Sequence, residues 1–134
     1  MKYTFFFSSV FCFSLACQEE TKDDTSTDTT FEITNVEVSS APCDGEMPPA
    51  DEVSVTSSNG TATVTHSNYE DSSCLGFTVS GDLEGSTLTL TYTETGEPCD
   101  CISMYALNYD IIGLASGTYT LEFPGNVTEN LTIE

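Results

Sequence analysis

Residues 53–66 read VSVTSSNGTATVTH. Val53, Val55, Ala62 and Val64 alternate with Ser and Thr on either side of Asn59-Gly60. A period of two puts every second side chain on one face of a strand. Asn-Gly supplies the two positive-φ positions that a type I′ turn needs between antiparallel strands. The expected register pairs Val55 with Val64, Ser57 with Ala62 and Val53 with His66. This gathers the apolar residues on one face, as a half-buried hairpin requires.

The same alternation continues outward. Leu75, Phe77 and Val79 approach Glu84-Gly85, and Leu88, Leu90 and Tyr92 return from it. A two-residue turn at Glu84-Gly85 would pair Val79 with Leu90 and Phe77 with Tyr92. Leu107, Tyr109 and Ile111 alternate next, followed by Tyr119, Leu121 and Phe123, with Leu131 and Ile133 at the end. Upstream, Phe31 and Ile33, then Val36 and Val38, describe a first strand that slips register near Asn35. Residues 41–51, APCDGEMPPAD, form a Pro- and Gly-rich connection. No stretch carries a helical stripe. Short strands with closely spaced turn signals predict an all-β fold, a small Ig-like antiparallel β-sandwich of seven to eight strands over residues 31–134.

Residues 112–121, IGLASGTYTL, resemble the G-L-x-x-G-x-Y-x-L strand entry of Ig-like and transthyretin-like bacterial surface domains. The resemblance implies that Leu114 and Tyr119 plug the corner of the sandwich. It speaks to fold and not to function.

Charge excludes several partners. The chain carries 22 acidic residues against two basic ones, Lys2 and Lys22. From Phe31 onward His66 is the one side chain that can become a cation. Such a domain repels nucleic acid and anionic lipid, and it lacks the guanidinium and ammonium groups that grip phosphates. The charge fits solubility, and no Asp-x-Asp-x-Asp-Gly calcium loop is present.

The N-terminal residues describe export. Residues 5–16, FFFSSVFCFSLA, follow a single Lys and form an apolar run suited to a signal-peptide core, too short to span a bilayer comfortably. Ser14-Leu-Ala-Cys17 resembles the lipobox of bacterial lipoproteins, with Ser where Leu is usual. The resemblance implies a signal peptide at 1–16 and lipidation of Cys17. Gln18-Glu-Glu then resembles the surface-export signal of Bacteroidota lipoproteins, implying an outer-membrane anchor at the cell surface. Residues 18–30, QEETKDDTSTDTT, contain no apolar side chain and read as a disordered tether within 17–30. Extended, they reach at most about 45 Å.

Six cysteines, at 12, 17, 43, 74, 99 and 101, support this division. Cys12 leaves with the signal, and lipidation of Cys17 leaves an even number. An exported domain uses Cys43, Cys74, Cys99 and Cys101 as disulfides. A Cys99–Cys101 ring would be strained, so two pairings remain open: 43–99 with 74–101, or 43–101 with 74–99. Both bridges are expected to be buried. A four-thiolate zinc site would want Cys pairs with two to four spacers, whereas these four cysteines offer one close pair, Cys99 and Cys101, with a single spacer.

Few residues can carry chemistry. His66 lacks an evident partner set and reads as a core-edge side chain. No nucleophile elbow, His-Glu-x-x-His motif or paired His is present, so no enzyme activity and no cofactor or metal are expected. Thr61, Thr63 and Thr65, and Thr87 through Thr95 at alternate positions, form flat threonine rows suited to a solvated sheet face. Carbohydrate platforms would have to come from Tyr69 or Tyr105, because there is no Trp. The reading is a lipid-anchored, non-catalytic binding, adhesion or assembly module. The alternative is a carbohydrate- or divalent-cation-binding lipoprotein using acidic loops such as Asp44-Gly-Glu46 or residues 94–100.

Overall fold

Alternation becomes eight strands in the computed structural model, which describes residues 30–43 and 49–134. The signal, Cys17 and the tether up to residue 29 lie outside the described residues. The strands are β1 (Glu32–Ser40), β2 (Glu52–Ser58), β3 (Thr61–Ser72), β4 (Gly76–Glu84), β5 (Thr87–Thr95), β6 (Ile102–Ile112), β7 (Gly117–Phe123) and β8 (Val127–Ile133). No helix occurs among the described residues. One sheet has the order β1-β6-β3-β2 and the other β4-β5-β7-β8. Their inner faces bury the alternating residues: Ala62, Val64, Leu88, Leu107, Tyr109, Ile111 and Leu121 are at most 1% exposed. The fold is an all-β sandwich with two disulfides.

The first hairpin has the expected register, with Val53 opposite His66, Val55 opposite Val64 and Ser57 opposite Ala62. Asn59 and Gly60 take φ of 51° and 75°, the two positive values of a type I′ turn. A Cβ on Gly60 would meet nothing within 4 Å, so only its backbone conformation demands glycine. Gly60→Val is therefore expected to destabilise the protein by about 1–2 kcal/mol through φ strain alone. A thermal melt checks this, and an unchanged midpoint would contradict the turn.

The second hairpin departs from expectation by two residues of register. Val79 faces Tyr92, Gly81 faces Leu90 and Phe77 faces Glu94, and Glu84 and Thr87 close the turn. The turn residues are thus Gly85-Ser86. Gly85 has φ of 61° while Ser86 is not at positive φ, which is the pattern of a type II′ turn with Gly first. Gly85 is the first turn residue, where the sequence-based expectation has it second. Because the slip is even, every side chain stays on its expected face.

Two further departures have clear causes. The β1 slip is a bulge between Thr34 and Glu37, with Asn35 at φ 54°, and it turns Val36 outward to 39% exposure. The sheets are also not wholly antiparallel: β5 and β7 run parallel through Thr87–Thr120, Leu88–Leu121 and Thr89–Glu122. Between them β6 crosses to the opposite sheet, so β5 and β7 both run in the same direction when they become neighbours.

Both open corners of the sandwich are covered. At one, the Ser57 hydroxyl donates to the Thr132 carbonyl at 2.7 Å, joining β2 to β8. At the other, the Phe31 ring lies over Gly81, where a Cβ would stand 3.1 Å from it. At the entry to β7, Leu114 and Tyr119 are buried, and the Tyr119 hydroxyl donates to the Ala115 carbonyl at 2.9 Å. Gly113 has φ of 85°, and a Cβ there would stand 2.7 Å from the Thr30 carbonyl. Glycine at 113 lets the incoming chain pass close to the end of β6.

Candidate functional site

Strand direction sorts the connections into two groups. The chain enters at Thr30 beside Gly113, and the 59–60 and 85–86 turns and the end of β8 share that pole. Residues 41–43 and 49–51, the turn 73–75, the connection 96–101 and the turn 124–126 lie at the opposite pole. The described prolines, Pro42, Pro49, Pro98 and Pro124, fall in that second group. Each fixes φ and lowers the entropy lost on ordering its loop.

Both disulfides are at this pole. Cys43 bonds Cys101 and Cys74 bonds Cys99, which selects one of the two pairings open from the sequence. Backbone pairing explains the choice. Ser73 N–H donates to the Cys101 carbonyl at 2.7 Å, and Cys99 N–H donates to the Ser73 carbonyl at 2.8 Å. The 73–75 turn thus lies against the 99–101 segment, with Cys74 beside Cys99, while Ala41 N–H donates to Met104 O at 2.8 Å and brings Cys43 alongside Cys101. The expectation of burial is corrected: all four cysteines are exposed. They lie beyond the strand ends, where no opposing sheet covers them, and the bridges supply covalent links where the core has ended.

Just beneath this pole is a buried polar chain that sequence reasoning missed. A bulge in β3 between His66 and Tyr69, with Asn68 at φ 62°, puts both residues on the inner face. Strict alternation would have separated them. The Asn68 amide donates to the Ala50 carbonyl at 3.0 Å and holds the end of the 41–51 connection over His66. His66 is 0% exposed, which corrects both the core-edge placement and the expectation that it lacks partners. Its Nε2 lies 2.5 Å from Asp51 Oδ1 and its Nδ1 2.8 Å from the Tyr92 hydroxyl, which is 3.1 Å from the Tyr109 hydroxyl.

The chemistry of the groups sets the donor order. A carboxylate only accepts, so Nε2 carries a hydrogen and donates to Asp51. With the ring hydrogen on Nε2 alone, the Nδ1 lone pair accepts from Tyr92 O–H, and Tyr92 oxygen accepts from Tyr109 O–H. Burial raises the pKa of both Tyr92 and Tyr109 far above the ordinary phenol value, so both stay protonated. Tyr69 stands edge-on to His66 at 5.4 Å and to Tyr92 at 5.3 Å between ring centroids. Its pKa is raised by burial first, then by the carboxylates of Asp71, Glu94 and Asp51. Asn68, the Asn that bulges β3, was the one sequence signal that could have pointed here, since Asn tolerates positive φ.

The other candidates do not converge on this place. Tyr105 is core, 2% exposed, and donates to the Ser72 carbonyl at 2.7 Å. Tyr69 is packed edge-on against Phe77, His66 and Tyr92 and offers no flat stacking platform. The row Thr87–Thr95 lies on the outer face of β5, where Asp82, Glu84 and Glu122 pair beside its threonines. Thr89 donates to Glu122 at 3.2 Å. The row Thr61–Thr65 lies on the other sheet, where Thr63 donates to Asp110 at 2.7 Å and Asn35 does so at 2.8 Å. Those two bonds hold the Asp110 carboxyl below the usual carboxylate range. Asp44-Gly-Glu46 lies outside the described residues, and no group of three or more metal-ligating side chains forms among the described ones. Two open depressions are polar. One, of about 390 Å³, lies by Asn59, Gly60 and Glu134; the other, of about 300 Å³, lies by Ser39, Asn68 and Met104.

Comparison with protein-family models, with curated proteins and with solved structures returned no match to the chain. The fold and site together define a class: a small acidic all-β sandwich whose loops are stapled at one pole.

Proposed function

We propose that the chain is a membrane-anchored extracytoplasmic lipoprotein whose β-sandwich is a non-catalytic binding, adhesion or assembly module. One observation carries the reading. Cys43, Cys74, Cys99 and Cys101 are all consumed in two disulfides, a chemistry of oxidising compartments, which leaves Cys17 at the Ser14–Cys17 junction to accept lipid. An anchor at Cys17 would attach at the Thr30 pole and turn the stapled loops away from the bilayer. Their proline content and covalent links suit a surface that binds without losing much loop entropy. A non-catalytic role is supported by the direction of the Asp51–His66–Tyr92 chain, which runs inward between the sheets and ends on a core tyrosine.

Expression in a Gram-negative host with radioactive palmitate tests the anchor. The wild-type chain is expected to incorporate label and partition into detergent, and Cys17→Ser to lose both. Unlabelled wild-type protein in the medium would overturn the reading. Antibody binding to intact cells then distinguishes the outer surface from the periplasmic face.

A further inference from the structure

The described tyrosines differ in where the phenol proton can go. Tyr105 and Tyr119 donate to the backbone carbonyls of Ser72 and Ala115, and Tyr109 donates to another phenol. None of those acceptors keeps a proton. Among the described tyrosines, Tyr92 alone has its hydroxyl within hydrogen-bond distance of a side-chain base, His66 Nδ1 at 2.8 Å. This matters for one-electron chemistry. A phenol that loses an electron becomes a strong acid, so its oxidation is easy only where a base already holds the proton's hydrogen bond. The chain has no Trp, and the four cysteines of the sandwich are disulfides, so tyrosine is the side chain there that most readily gives up a single electron, methionine being oxidised chiefly by oxygen transfer to sulfur.

We propose that Tyr92 and His66 form a proton-coupled redox site, at which an oxygen-derived radical or other outer-sphere one-electron oxidant converts Tyr92 to a neutral phenoxyl radical. The step balances: Tyr92 gives one electron to the oxidant and its hydroxyl proton to His66 Nδ1, leaving a phenoxyl oxygen hydrogen-bonded to an imidazolium. Asp51 serves that imidazolium as counter-charge through Nε2–H at 2.5 Å. Burial keeps the Tyr92 phenol protonated beforehand, so proton and electron leave together. Half-buried Tyr69, edge-on to Tyr92, links the site to oxidants at the surface. Enclosure between the sheets protects the radical from coupling with a tyrosine of another molecule. The site would act as a sink for oxidising equivalents.

The test uses the purified full chain with both disulfides intact, photogenerated tris(bipyridine)ruthenium(III) as oxidant, and freeze-quench EPR. Wild type is expected to give a persistent neutral tyrosyl signal that Tyr92→Phe abolishes and that Tyr105→Phe and Tyr119→Phe retain. Asp51→Asn keeps the phenol and its base but removes the counter-charge, so the signal should form and decay several-fold faster. Near-UV circular dichroism verifies the fold of each variant. If Tyr92→Phe does not fold, the Asp51→Asn lifetime decides. A Tyr92→Phe radical of wild-type yield and lifetime, or an Asp51→Asn lifetime equal to wild type, would overturn the proposal.

Discussion

Reducing Cys43–Cys101 and Cys74–Cys99 is expected to unfold the domain, and to do so without denaturant. All four cysteines are exposed, so a small reductant reaches the sulfurs in the folded protein. The bridges close loops of 58 and 25 residues. The shorter loop lies inside the longer and partly short-circuits it, so the two should count about equally, at ~3–4 kcal/mol each through restriction of the unfolded chain. A domain of this size has about 5–15 kcal/mol in total, so one loss should be survivable and both should not. Urea or thermal melts of the purified chain, with and without reductant, measure the sum. The paired variants Cys43→Ser/Cys101→Ser and Cys74→Ser/Cys99→Ser measure each part. A reduced protein with the oxidised midpoint would show that the sheets alone hold the fold.

His66→Ala should be the costliest single change at the polar chain, by about 2–4 kcal/mol. It removes a fully buried ring and leaves a cavity among Tyr69, Tyr92 and Phe123. It also leaves the Tyr92 hydroxyl without its His66 hydrogen-bond partner. Asp51→Ala should cost less, about 1–2 kcal/mol, because Asp51 is 33% exposed and only the buried Nε2–H loses its partner. Equilibrium unfolding ranks the two variants. Equal costs would mean that the Asp51 bond, not the ring's packing, is what His66 contributes.

Much of this molecule is legible in short-range pattern. Asn59-Gly60 dictates its own turn because two successive positive φ angles suit few other residues, and alternation then determines which side chains face inward. Face survives even where register does not: the 85–86 turn moved Val79 from Leu90 to Tyr92, yet both partners face inward, two apart on one strand, Leu90 in the core and Tyr92 packed against it. The slip at Asn35 is readable for the same reason, since it depends on neighbours within a few positions. Disulfide chemistry is legible in the four cysteines of residues 31–134, an even number with no zinc-site spacing.

Tertiary structure alone decided the rest. The pairing of the cysteines depends on the 73–75 turn meeting residues 99–101, a contact between connections that no local rule describes. Their exposure depends on where both sheets end. The parallel β5–β7 contact arises because β6 belongs to the other layer. His66 gained its partners from three separate places: Asp51 at the end of a loop, Tyr92 on the facing sheet, and the β3 bulge that turned Tyr69 inward beside it. Sequence by itself determined the inward direction of His66, through its place opposite Val53. Only the stacking of two sheets could determine what it would find there, because hydrogen bonds across a sandwich join residues whose separation along the chain carries no periodic signal.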